Sequence, residues 1–383
     1  MGNAISKLNY KNSVPKGFSL IELMVALAIG TLIALAISTL FFQVFSGYRT
    51  TDDAARATEG GKFGLRVLGE DLRMAGFVGL SGDPARVELA KTTMIGAASA
   101  DNCGNQLWPF QLINQTTNQV SYIEQYPTPS SLPCISATGF VAGNPAVVVR
   151  RASGVQATAN DLTTNNLFVQ SSQSGAIIFM GKDYATDVKG ADRHLQVCKY
   201  EASAAACTDI GNCKCPKTGV NANKGVISLV DAPILQYLVY VYYIRPCSRP
   251  AGSTCTATDD GGNPIPTLVR RQLSSTDPAV FVETPIAEGV ERMTLSYGID
   301  ANNDGVPDTY SSAPADLGNA MTVRLSLLMR TRKIENDFTD TATYTLADGS
   351  TYQCATAVPA VSCNHHRYLL GDTIQLKNYA IRR

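Results

Sequence analysis

"KGFSLIELMVALAIGTLIALAIS", residues 16–38, is an apolar run of membrane length with one acid, Glu22, near its start. A carboxylate in hydrocarbon costs about 2.5–3.5 kcal/mol even on lenient insertion scales, so Glu22 calls for a partner. Toward the C-terminus, residues 23–48 carry no charge. That run is long enough to cross about 30 Å of hydrocarbon as a helix. Toward the N-terminus stand Lys7, Lys11 and Lys16 with no acid. The positive-inside rule then keeps the N-terminus cytoplasmic and sends the rest of the chain across the membrane. A cleaved secretory signal has a shorter apolar core without an acid, followed by a small-residue cut site. The "ALA" at 34–36 mimics such a site, but the apolar core runs on through it into "LFFQVF". A plain signal anchor requires neither Glu22 nor the small Gly17 just before the run.

The bulk numbers fit an extracytoplasmic chain. With 383 residues there is room for one large domain or two ordinary ones. Formal net charge is zero and 17% of residues are charged, so no basic field draws in nucleic acid. The ten cysteines stand at Cys103, Cys134, Cys198, Cys207, Cys213, Cys215, Cys247, Cys255, Cys354 and Cys363. Cys247 and Cys255 flank a turn-rich "SRPAGST", and Cys354 and Cys363 flank "ATAVPAVS". Such spacings suit disulfides closing short loops in an oxidising compartment. The alternative is a zinc site at Cys198, Cys207, Cys213 and Cys215, whose C-K-C step departs from the usual C-x-x-C.

Beyond residue 48 the chain turns polar yet keeps a helical period. Leu65, Leu68, Leu72 and Ala75 recur at three- and four-residue steps as one stripe, with Lys62, Arg66 and Glu70 on another face. Gly60, Gly61 and Gly64 weaken a helix, so a bend or a locally unwound stretch is expected at 60–64. Gly76 suits the C-terminal cap. Downstream, strand-like runs bounded by Gly, Pro, Asn and Ser recur at 145–152, 166–172, 175–181, 234–246, 266–273, 290–299 and 322–330. In "ILQYLVYVYYIRP" both alternating sets are apolar or aromatic, as in a central strand covered on one side by the helix. The expected class is α+β: a long N-terminal helix, half membrane and half amphipathic, packed on a mainly antiparallel sheet.

The string Gly17-Phe18-Ser19-Leu20-Ile21-Glu22 behind a basic leader resembles the class III signal of type IV pilins and pseudopilins. The resemblance implies cutting after Gly17 on the cytoplasmic side and N-methylation of the new amine on Phe18. Glu22 lies one helical turn from that cation, at i,i+4. It would pair with its own terminus or a neighbour's and set the register of packed helices, a role better attested for buried pairs than net stability. "GEDLRMAGFVG" (69–79), "VERMTLSYGIDANNDGVPDTY" (290–310), "MTVRLSLLMRT" (321–331) and the final "HHRYLLGDTIQLKNYAIRR" resemble PilW-type minor pilins and the related J-type pseudopilins of type II secretion. Residues 80–230 resemble nothing comparable.

The implied organisation is a leader at 1–17, a transmembrane and pilus-core helix at 18–48, its amphipathic continuation at 49–76, and a periplasmic β-rich domain at 77–383. The implied role is structural: a minor pilin in a complex that primes pilus assembly and sits near the tip. Implied partners are other minor pilins, the major pilin, a PilY-type tip adhesin and the prepilin peptidase. The location is the inner membrane, then the cell surface within a pilus (a fimbrium used in twitching motility, for one). A J-type pseudopilin of type II secretion and a tip adhesin using 80–230 remain as alternatives.

One loop invites a metal. In "DANNDGVPD" (300–308), Asp300, Asn302 and Asp304 alternate before Gly305, Val306 offers a carbonyl, and Asp308 a further oxygen. This matches the first half of a calcium loop, while the twelfth position holds Ser311 instead of Glu. The competing reading is an Asn/Asp/Gly turn between strands. No G-x-S-x-G elbow or phosphate-binding glycine loop occurs, so the chain reads as a non-enzyme. His365-His366 near Cys363 and His194 near Cys198 read as surface residues before metal ligands. Tyr237, Tyr240, Tyr242 and Tyr243 read as core before a stacking platform. The doublets Arg150-Arg151 and Arg270-Arg271 are weak signals for nucleic acid.

Overall fold

The computed structural model describes residues 17–81, 87–90, 103, 122–172, 175–191, 195–201, 225–252, 254–274, 280–302, 304–314, 317, 319–358 and 360–380. Two compact units divide at 53/54, and one helix, α1 (Leu20–Met74), contributes to both.

In the first unit, α1 exposes its apolar side chains all round, from Leu20 and Leu23 through Phe42 and Tyr48. It is long and apolar enough to cross a membrane. At about 1.5 Å per residue, residues 20–48 rise roughly 40 Å. The hydroxyls within this stretch return to the backbone: Thr31 donates to the Ala28 carbonyl at 2.9 Å, Ser38 to Ala34 at 2.8 Å and Thr39 to Ala36 at 2.9 Å. These three hydroxyls then need no outside partner, as hydrocarbon demands.

In the second unit, α1 lays its predicted stripe on the sheets. Leu65, Leu68, Leu72 and Ala75 are buried in one core cluster with both sheets. The helix is not unwound at 60–64. The glycines have a packing reason instead. A Cβ on Gly61 would run into the Leu370 side chain and lie 2.8 Å from Met329 Cγ, and one on Gly64 would lie 3.2 Å from Ala287 Cβ. Helix propensity is given up so that backbone and sheet can touch. The helix ends as expected: Gly76 takes φ +75° and donates its N–H to the Arg150 carbonyl at 2.9 Å.

Among the described residues sixteen strands follow. In chain order, β1 (Val87–Leu89), β2 (Ile123–Tyr126), β3 (Ala146–Gln156), β4 (Leu167–Ser172) and β5 (Gly175–Met180) lead to a ribbon of β6 (Gln196–Glu201) and β7 (Gly225–Asp231). Then come β8 (Ile234–Arg245), β9 (Thr267–Leu273) and β10 (Phe281–Glu288). The first sheet runs β1-β5-β4-β8-β3-β2, with β9 also on β8 and β10 on β9. Every pairing is antiparallel except β1 with β5. As its two apolar faces foretold, β8 is central. It pairs with β3 along one edge, and with β4 and then β9 along the other.

The second sheet is built from β11 (Val290–Ile299), β12 (Thr309–Ser311), β13 (Ala320–Arg330) and, after a hairpin of β14 (Tyr344–Thr345) and β15 (Thr351–Tyr352), β16 (Arg367–Gln375). Its order is β12-β11-β13-β16, all antiparallel. Disulfides join Cys103 to Cys134, Cys247 to Cys255 and Cys354 to Cys363. Cys207, Cys213, Cys215 and His194 lie outside the described residues, as does the Cys198 side chain.

Candidate assembly site

The helix start explains part of why Glu22 is where it is. α1 begins at Leu20, so Ser19 is the N-cap and Glu22 the third helical residue. The Glu22 carboxylate accepts the Ser19 N–H at 3.0 Å, and the Ser19 hydroxyl accepts the Glu22 N–H at 3.2 Å. This reciprocal pair is a capping box, which satisfies two of the orphan donors at a helix start. The S-x-x-E spacing of this box is legible in the sequence, beside the pairing of Glu22 with its own or a neighbour's terminal amine. Phe18 is here still joined to Gly17, so that pairing belongs to a cut chain. Gly17 has nothing within 4 Å of where a Cβ would stand, and Phe18 is 90% exposed. The Gly17–Phe18 bond is therefore open, one residue ahead of the cap.

At its other end the helix is pinned to the first sheet by Asp71. This buried carboxylate lies 2.7 Å from Arg151 Nη2 and 4.0 Å from Arg270 Nη1, and accepts the Tyr242 hydroxyl. Burial, and then the Asp71 charge, push the Tyr242 phenol well above its usual range. Arg270 sits over the Tyr240 ring at 4.2 Å and Arg151 at 5.6 Å. The other member of each doublet is also tied inward. Arg150 pairs with Glu124 at 3.1 Å, and Arg271 donates to the carbonyls of Cys134 and Phe281. All four tyrosines are buried. Tyrosines and doublets form one internal lattice, so neither presents a stacking or nucleic-acid surface.

A second buried network knits the C-terminal third. Arg367 on β16 meets Glu291 on β11 at 2.7 Å and 3.2 Å, and Asp340 at 3.2 Å. Tyr352 donates to Glu291 at 2.7 Å. Beside it His365 is fully buried with neither ring nitrogen hydrogen-bonded among the described residues. Burial, helped by the Arg330 and Arg367 charges, holds its pKa near 4. His366 stacks on Phe338 at 3.7 Å and meets Glu335 at 3.1 Å. The reading of both histidines as surface residues is thus corrected for His365. The network itself was hidden, because its members are 76 residues apart in the chain and no spacing rule links them.

The 300–308 loop closes on its own oxygens. Asp300, 1% exposed, accepts the Gly305 N–H at 3.1 Å. Asp308 accepts the Ala301 N–H at 2.7 Å, and Asp304 accepts the Val306 N–H at 2.8 Å. Asn302 donates to Asp304 and to Asp308, each at 3.1 Å. Among the described residues, the single tight trio of potential metal ligands is Cys247, Cys255 and Asp259, and its two sulfurs are spent in a disulfide.

Comparisons with known proteins converge on both ends of the chain. Residues 13–38 match the family model of the prokaryotic N-terminal methylation motif. Residues 242–378, which hold β9 to β16 and the buried Glu291–Arg367 network, match that of the type IV pilus-assembly protein W, PilW. No curated protein matches. Among solved structures, a type IV-like pilin from Thermus thermophilus is similar at 12% identity and a TM-score of 0.18, covering 37% of this chain and 79% of that one.

Proposed function

Starting from a type IV pilin-like chain that carries an N-terminal methylation motif and a PilW domain, we propose that it serves as a minor pilin. It is made as an inner-membrane prepilin and cut after Gly17. It then works structurally, in a complex with other minor pilins that primes assembly and stays near the tip. The major pilin, a PilY-type adhesin and the prepilin peptidase are its further partners. The observation that carries this reading is the order of features at the N-terminus: basic residues, an exposed Gly17–Phe18 bond, a capped helix start, then an apolar helix that remains after the cut. Cutting turns Phe18 into a cation one turn from Glu22. The carboxylate that now caps the Ser19 N–H is then placed to pair with that amine or with a neighbour's.

Intact mass and N-terminal sequencing of the protein from bacterial membranes test this. The expected chain starts at methylated Phe18. A chain starting at Met1, or cut beyond the apolar run, overturns the reading. Glu22→Leu is expected to be cut normally but to enter pili poorly.

Within the same reading, the 300–308 loop is proposed as a calcium loop on its alternating oxygens. A melting temperature that rises with calcium in the wild type and not in Asp300→Ala supports it. A wild-type melting temperature indifferent to calcium and EDTA leaves the loop as a turn held by its own hydrogen bonds.

A further inference from the structure

Between α1 and β16 lies a groove of about 280 Å³. Its floor includes Leu65, Gly69 and Gly371, and its helix wall carries Lys62, Arg66 and Arg73. Three features of this groove have no use inside the chain.

The first is the edge. β16 is the last strand of its sheet and pairs only with β13. No backbone hydrogen bond links residues 368–375 to a further strand among the described residues. An open edge of this length is a template for another chain, and proteins normally cover or blunt it.

The second is the cations. Most arginines of the two sheets are held by carboxylates or carbonyls, as described above. Lys62, Arg66 and Arg73 are exposed and make no ion pair among the described residues. Arg66 has only the Phe63 ring, at 5.3 Å. Arg66 and Glu70, though at i,i+4, form no ion pair among the described residues. Glu70 and Asp372 also line the groove, so three cations stand against two carboxylates, one of which caps its own Thr373 N–H at 2.8 Å.

The third is the glycines. A Cβ on Gly61 would force Leu370 and Met329 to shift, but Gly69 and Gly371 sit in no such squeeze. A Cβ on Gly69 would meet Ile374 at an ordinary 3.5 Å, and one on Gly371 would meet the Leu325 carbonyl at 3.4 Å and Ser326 Cβ at 4.0 Å. Glycine in a helix or strand interior is unfavourable, and in a strand it often marks where another backbone comes close. Both glycines face the same groove.

Helix and strand also keep step. Gly61 sits against Leu370 and Gly69 against Ile374. Eight helical residues rise about 12 Å, and four strand residues about 13 Å, so the two run alongside each other. Lys62 and Arg66, four residues apart, are separated by about 6 Å along the axis. Alternate residues of an extended chain are about 6.6 Å apart.

We propose that this groove receives an extended acidic segment of another subunit, which adds to β16 as a further strand and sets alternate carboxylates against Lys62 and Arg66, with Arg73 adding positive charge further along the groove. The inference deepens the reading of the chain as an assembling subunit and rests on it.

The test uses full-length protein in detergent and a fluorescent peptide of sequence Thr-Glu-Val-Glu-Val-Glu-Thr, read by anisotropy. The peptide is expected to bind, to weaken at least tenfold between low and high salt, and to lose at least tenfold when Glu is replaced by Gln. Replacing both of its valines by Pro, which removes strand donors, is expected to abolish binding. The double variant Arg66→Glu, Arg73→Glu is expected to lose at least tenfold with an unchanged melting temperature. Several results would overturn the proposal: equal binding of the Gln peptide, indifference to the double reversal, or tighter binding of a single-stranded oligonucleotide of equal charge. Self-association of the full chain that the double reversal abolishes would replace the partner with a second copy. A chain correctly cut and assembled into pili that fails the peptide test sinks this inference and leaves the proposed function standing.

Discussion

Asp71 shows how much one side chain decides. It is the carboxylate through which the helix holds Arg151, Arg270 and Tyr242. Removing one partner of a buried pair strands the others, at a cost of about 3 kcal/mol. Asp71→Ala is therefore expected to lower the chemical-denaturation stability by that order, and a loss below about 1 kcal/mol would show that the pins are redundant. His365 is the second such residue. Its folded pKa near 4 lies below the ordinary 6.5, so its neutral burial contributes stability that is complete above about pH 6.5. That contribution is lost as pH falls toward 4, up to about 3 kcal/mol in all. Thermal melts between pH 7 and 4 are expected to fall less steeply in His365→Leu than in the wild type. Parallel curves would mean that His365 contributes nothing to the pH dependence.

At the scale of the element, α1 is two helices in one. Its first half owes its form to an apolar composition and a capping box, and its second half to what lies beneath it. The glycines separate the two rules. Propensity alone predicts unwinding at 60–64, but tertiary packing overrides propensity when the lost side chain makes room for the sheet. Two substitutions on one helix should thus move in opposite directions. Gly61→Leu, which must displace Leu370 and Met329, is expected to destabilise by about 2 kcal/mol or more. Gly69→Ala meets only ordinary contact and is expected to be neutral or stabilising by up to about 1 kcal/mol. Guanidinium melts of the two variants decide it. Equal losses would mean the helix is generally intolerant and the close approach at Gly61 is incidental.

At the scale of the whole molecule, the two sheets and the lower half of α1 share one core, while the upper half of α1 keeps its apolar surface exposed. The buried polar lattices divide the labour. Asp71, Arg151, Arg270 and the tyrosines tie helix to first sheet, and Glu291, Arg367 and Asp340 tie the strands of the PilW match to the excursion that carries β14 and β15.

The long helix, its membrane-length half, the buried stripe from Leu65 to Ala75 and the helix stop at Gly76 were determined by local pattern, because each depends on neighbours a few residues away; the two apolar faces of β8 marked its central place, although its partners β3, β4 and β9 lie far from it in the chain. The same holds for the short disulfides at Cys247–Cys255 and Cys354–Cys363, where spacing alone brings the sulfurs near. What only the tertiary structure decided involves partners far apart in sequence: the Cys103–Cys134 bridge, the inward turn of both arginine doublets, the burial of His365, and the reason for Gly61. No periodicity encodes a contact between residue 71 and residue 242, or between 291 and 367. Those pairs exist because the sheets bring them together, and burial then makes each an obligation that some other residue must meet.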